Sequence, residues 1–143
     1  DNYIVCDFQA SGYRLPTEAE WEFAAKEGKY ETPYTYSGSN NIDQVAWYIE
    51  NSGGHSHPVG EKKYNKLKLF DMSGNVSEWV WDWYAPYSAN VPFSFTGPDS
   101  GTDKVIRGGS WKDPAREARI TNRAYAKPYS KTNYIGFRVV RSK

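Results

Sequence analysis

Cysteine is nearly missing from this chain of 143 residues. Cys6 is the single one, which excludes an internal disulfide and any zinc site built on several thiolates. An excess of charge of one sign is missing too. Eighteen Lys and Arg stand against seventeen Asp and Glu, a formal net charge of +1, so the totals ask for neither a nucleic acid nor an anionic membrane as partner. No apolar run approaches the ~18–20 residues that a membrane span needs. Internal repeats, low-complexity tracts and a linker that would divide the chain are also absent, so residues 1–143 read as one domain, long enough to bury a core.

Aromatic side chains are what the chain has in plenty. Phe, Trp and Tyr make up 17% of it, with six Trp and twelve Tyr, while aliphatic residues are comparatively few. Each aromatic ring buries ~150–250 Å², so a handful can build a core in a chain poor in Leu and Ile. Tyrosine is also the rigid contact residue of recognition surfaces.

Local signals mark few regular elements. TEAEWEFAAKEG predicts one clear helix over 17–28: Thr17 as N-cap, Glu20 completing a capping box, Gly28 as terminator, and Trp21, Ala24 and Ala25 on the buried face. Residues 29–66 are rich in Gly, Asn, Ser, Tyr and Pro and read as loops, with VAWYI a short strand among them. EWVWDW alternates Trp79, Trp81 and Trp83 with Val80, Asp82 and Tyr84, a strand period. KVIRGGSW reads as a second strand with a bulge or close backbone approach at Gly108–Gly109, and IGFRVVRS as a third.

Reactive groupings are sparse. His55 and His57 form H-S-H in a glycine-rich loop, but two ligands are too few for a closed metal site, and solvent-exposed loop histidines are the expectation. Ser110, within GGSW, lacks the strand–nucleophile–helix context of an elbow. Glu18 and Glu22 read as solvated residues of a helix face, with one capping or pairing with an arginine.

GYRLPTEAEWEFAA, LFDMSGNVSEWVWDWY, VIRGGSW and GFRVVRS, in this order, closely resemble the carboxy-terminal part of the formylglycine-generating-enzyme, or sulfatase-modifying factor, domain family. The resemblance runs from Gly12 nearly to the end. It implies an α+β fold: an irregular, loop-rich C-type lectin-like architecture with few short antiparallel strands. It also implies that the family's amino-terminal segment, with its first strands, is lacking here. A separate amino-terminal half or an oligomer would then cover the GFRVV strand, whose edge would otherwise stand open. The family contains cysteine oxidases, iron-dependent sulfoxide synthases, proteins without known chemistry, and the variable proteins of diversity-generating retroelements. By alignment on RGGSW, the two cysteines of the oxidases fall at about Asp113 and Ala118. A carboxylate does not replace a soft thiolate toward copper(I). The expectation is therefore a non-catalytic domain, with an oxidase of the family as the alternative. Many relatives look exported, which implies a bacterial surface or periplasmic setting.

By the same resemblance FDMSGNVSEW is similar to the family's calcium site. Its ligands would be the side chains of Asp71 and Glu78 and the carbonyls of Gly74 and Val76. The alternative is a motif that folds without metal, the two carboxylates being satisfied by backbone N–H groups. Residues 107–141 form the candidate variable region. In it Gly108 to Trp111 and Gly136 to Arg138 read as scaffold, and Arg119, Asn122 and Arg123 as framework holding loop carbonyls. Lys112, Asp113, Ala124, Tyr125, Lys127, Tyr129, Lys131, Asn133 and Tyr134 are the expected contact residues for a protein or glycan ligand, with Tyr, Ser and Asn supplying paratope chemistry. The opposing reading is an ordinary loop-rich stretch whose tyrosines cap the core.

Overall fold

The protein is described here by a computed structural model covering residues 6–30, 33–87 and 96–142. Strand β1 (Gly12–Arg14) leads into helix α1 (Glu18–Ala25). Thr17 caps that helix as expected: its Oγ1 accepts from the Glu20 N–H at 3.1 Å, and the Glu20 carboxylate accepts from the Thr17 N–H at 2.8 Å. Arg14 then anchors the box by donating to both Glu20 oxygens at 2.6 and 2.7 Å. The helix ends at Ala25 rather than Gly28, because Glu27 and Gly28 both adopt positive φ, 67° and 63°.

The predicted VAWYI strand does not form. Its first residue closes a single helical turn, α2 (Ile42–Val45), capped by the Asn41 side chain. The following backbone is tied instead by single bonds to distant loops: the Asn75 N–H donates to the Trp47 carbonyl and the Ile49 N–H to that of Asp113.

β2 (Ser77–Trp83), β3 (Lys104–Arg107) and β4 (Ala124–Ala126) form an antiparallel meander. The period-2 pattern of β2 is real, but the tryptophans are not its core face: Val80 and Asp82 are buried, and Trp79, Trp81 and Trp83 are half-buried. IGFRVVRS is two strands, not one. β5 (Ile135–Phe137) lies parallel to β2, and β6 (Val140–Ser142) pairs antiparallel with β1. The division falls at Arg138, whose guanidinium turns onto the buried Glu78. The sheet order is β4-β3-β2-β5, so β5 is an edge strand, and the Phe137 ring is exposed rather than scaffold.

Trp21, Ala25, Met72, Val80, Val105 and Ile120 form the apolar core. The paired glycines fit around it. A Cβ on Gly108 would come within 3.3 Å of the Trp21 ring, and one on Gly109 within 2.8 Å of the Glu117 carbonyl, while both residues hold positive φ.

Candidate functional site

The segment after β3 rests on a buried ionic frame. Arg107, its side chain fully shielded, donates to Glu18 Oε1 at 3.0 Å, to Glu22 Oε2 at 2.6 Å and to the Ile120 carbonyl at 2.8 Å. Arg123 donates to both Glu18 oxygens at 2.6 and 2.7 Å and to the Ala85 carbonyl. The expected pairing with an arginine is present for both Glu18 and Glu22, but the expected solvation of Glu18 is corrected: it is buried between two guanidinium groups, since a chain short of aliphatic residues closes part of its interior with paired charges. Arg119 and Asn122 hold the next loop, Arg119 through the Arg116 carbonyl and Asn122 through Glu117 Oε2.

From this frame the predicted contact residues emerge, Ala124 and Tyr125 on β4 and the others on loops. Tyr125 is 57% and Tyr129 76% exposed. Lys112, Lys127, Lys131 and Asn133 are exposed, while Ala124 and Tyr134 are half-buried. Several are held in place. Lys112 Nζ sits 3.4 Å from the centre of the Tyr134 ring, the Tyr125 ring packs on Tyr84 with centroids 4.5 Å apart, and Lys127 pairs with Asp103 at 3.0 Å. Asp113 departs from its expected role. Its Oδ2 accepts from the Ser110 N–H at 2.9 Å and from Ser110 Oγ–H at 2.6 Å, so it closes the turn that RGGS begins. A groove of about 300 Å³ runs beside it, lined among others by Lys112, Arg116, Asn122, Ala124 and Tyr134.

The expected calcium ligands sit as follows. Glu78 accepts from Arg138 Nε and from a terminal nitrogen of the same guanidinium, both at 2.6 Å, and from Trp21 Nε1 at 2.7 Å. Asp71 Oδ2 accepts from the Gly60 N–H at 2.8 Å, and its Oδ1 is buried without a partner. The Asp71 carbonyl itself accepts from Arg138. Of the four expected ligands, Glu78 thus has both carboxylate oxygens engaged by Arg138, while Asp71 keeps one oxygen without a partner. The charge that Glu78 needs is supplied by Arg138, a partner 60 residues away in the sequence. Among the described residues no three His, Cys, Asp or Glu side chains gather as a metal-binding group.

His57 also corrects its expectation. It is not a free loop residue: its ring stacks on Trp47 at 3.7 Å and 10°, Nε2 lies 2.8 Å from the Ser52 carbonyl, and Asn75 clamps its backbone N–H and carbonyl. His55 is exposed. Asp113 carries a carboxylate tied to Ser110, and Ala118 a buried methyl group. Sequence reasoning missed Tyr84, Tyr87 and Arg116 as neighbours of the face. Tyr87 is exposed with Arg123 3.9 Å from its ring centre, a contact that no spacing along the chain announces.

The protein belongs to the family described by the sulfatase-modifying factor enzyme 1-like domain, which its sequence matches over residues 6–143. Its fold is that of the formylglycine-generating-enzyme type within the C-type lectin-like architectures, as the solved structure of Treponema denticola variable protein 1 makes plain. That structure superposes with a TM-score of 0.87 at 42% identity, over 93% of this chain and 49% of that one. Chaperone protein LppX of Paenibacillus barcinonensis is 39% identical over 151 residues, 94% of this chain and 51% of the relative. Formylglycine-generating enzyme of Streptomyces coelicolor is 32% identical over 145 residues, 90% and 46%. The chain thus spans about half the length of each of these three relatives.

Proposed function

We propose that this domain is a non-catalytic binding module whose ligand, a protein or a glycan, is contacted through residues 112–134. The observation that carries the reading is the contrast between frame and face. The charges of Arg107, Glu18 and Arg123 are paired inside, whereas Tyr125 on the edge strand β4 and Tyr129 on the connection after it stand in solvent. Rigid tyrosines on a charge-paired frame supply contact area at low entropic cost. The likeness to a variable protein supports the further reading that 107–141 is diversified through a retroelement. Several of its residue types are reachable from an adenine-rich Asn codon by adenine substitution. A neighbouring reverse-transcriptase gene and a near-copy of the coding segment that differs only at adenines would support this; absence of both ends it.

The test of binding is a screen of glycans and surface proteins with the unaltered domain, followed by Tyr125→Ala and Tyr129→Ala. Each variant should lose capture by about tenfold, as truncated interface tyrosines do, while melting within about 2 °C of the parent, as surface substitutions do. A collapse of the melting temperature in either variant would place those rings in the core and end the reading. Oxygen consumption on a cysteine-containing peptide, with stoichiometric copper or iron bound, would instead favour the oxidase activity carried by the Streptomyces coelicolor relative's name.

A further inference from the structure

The near-neutral total conceals a division. Residues 107–141 contain nine Lys and Arg but two Asp and Glu, a formal charge of plus seven, while the remainder of the chain carries minus six. Part of the positive charge is internal: Arg107, Arg123 and Arg138 are paired with Glu18, Glu22 and Glu78. Outside, Lys127 is paired with Asp103 and Arg116 with Glu117. Lys112, Arg119 and Lys131 are exposed and have no acidic partner among the described residues. The two acids of the segment do not balance them: Glu117 is taken by Arg116, and Asp113 alone leaves the three cations in excess. Asp113 Oδ2 accepts from Ser110, and Glu117 is held at Oε1 by Arg116 and at Oε2 by Asn122.

From this we infer that the face of residues 112–134 receives an acidic polypeptide surface, one rich in Asp and Glu. The inference rests on the binding-face reading above and names the chemistry of its ligand. Complementary charge steers encounter and rejects basic partners, because like charges brought together cost binding energy. A glycan fits the same face less well. Sugar hydroxyls are read by donors and acceptors of carboxylates and amides, and here Asp113, Glu117 and Asn122 already serve the frame. What remains on offer is mainly tyrosine, lysine and arginine beside the single exposed amide of Asn133, and Tyr and Arg are enriched in protein–protein interfaces. The groove, about 300 Å³, lies at the bottom of the range for small-molecule pockets and suits a single protruding side chain.

The experiment measures binding of the whole domain to poly-L-glutamate of about 20 residues and to polygalacturonate of equal carboxylate number, at about 50 and 300 mM salt. Poly-L-glutamate should bind more tightly than the polyuronate and weaken at the higher salt. The combined variant Lys112→Gln, Arg119→Gln, Lys131→Gln should lose about tenfold in affinity. A control, Lys29→Gln, Lys66→Gln, Lys68→Gln, removes the same charge elsewhere and should stay within about twofold. Equal or tighter binding of polygalacturonate overturns the polypeptide choice in favour of a glycan. No binding of poly-L-glutamate at low salt, or equal losses in both triple variants, overturns the inference altogether. The two readings fail separately. Ligands from the screen that are lost with Tyr125→Ala yet kept by the face triple leave the face standing and remove the acidic partner. Loss in the triple with no effect of Tyr125→Ala and Tyr129→Ala keeps the cationic patch and removes the tyrosine face.

Discussion

Arg107 is a charge placed where a chain with more leucine would place a side chain without one. Its partners Glu18 and Glu22 are fixed on α1, and removing the guanidinium would leave Glu18 with Arg123 alone in a buried setting. Arg107→Ala should cost about 3–5 kcal/mol in urea unfolding, the range for breaking a buried pair from one side. A loss under about 1 kcal/mol would show that the pair is not part of the folded interior. Asp82 lies beside this frame. Burial pushes its carboxyl up to about 6 from an ordinary 3.8; the Glu18 N–H bond opposes that rise, the Glu18 charge adds to it and Lys104 opposes it. The native state therefore holds this proton more tightly than the unfolded chain does. The resulting stabilisation is complete below the unfolded value and fades as pH rises through about 6. Asp82→Asn, which keeps an acceptor for the Glu18 N–H, should be more stable than the parent at pH ~8 by about 2 kcal/mol, with the gain gone near pH ~4. Denaturant titrations at both values check this, and a difference that does not move with pH contradicts it.

At the scale of elements, what could be read from the sequence depended on how far each signal reaches. α1 was legible because Thr17, Glu20 and Gly28 lie within one short stretch, and only its last turn was misjudged. Thr17→Ala should cost about 1 kcal/mol of stability, measured by thermal or chemical unfolding. The period of β2 was legible for the same reason, but not which face would be buried, since that depends on α1 packing over Val80. VAWYI has the composition of a strand and no strand to pair with, so isolated bonds from Asn75 and to Asp113 hold it instead. Glu18 and Glu22 read as solvated because Arg107 stands 89 and 85 residues further on. The RGGSW turn was legible as a close approach. Gly109→Ala would drive a methyl group to 2.8 Å from the Glu117 carbonyl, against backbone that has little room to yield. Loss of cooperative unfolding in that variant is the expected result, and a melting point within about 2 °C of the parent would show that the turn relaxes.

For the whole molecule, the sequence motifs were enough to identify the architecture and the family, because four of them occur in fixed order. The exposure of Tyr125 and Tyr129 was legible, yet the hydrogen bonds of Asp113 and the pairing of Glu78 with Arg138 needed the folded chain. With Glu78 neutralised by a guanidinium, calcium should not act as a folding ligand. Melting temperatures in calcium and in chelator should agree within about 1 °C, whereas a saturating ion would raise the first by linkage. β4 and β5 occupy opposite edges of the sheet, so the connection from Lys127 to Tyr134 must cross both β3 and β2. Three strand spacings amount to about 14 Å across the sheet, and because β4 and β5 run in the same direction the connection must also return about 10 Å along the strands, about 17 Å in all; eight residues can extend to about 27 Å. This strap therefore has slack in hand. It can exchange side chains without tightening, but removal of about three residues would draw it taut and pull the two edges toward each other. Change by replacement is open to this domain, and change by shortening is not.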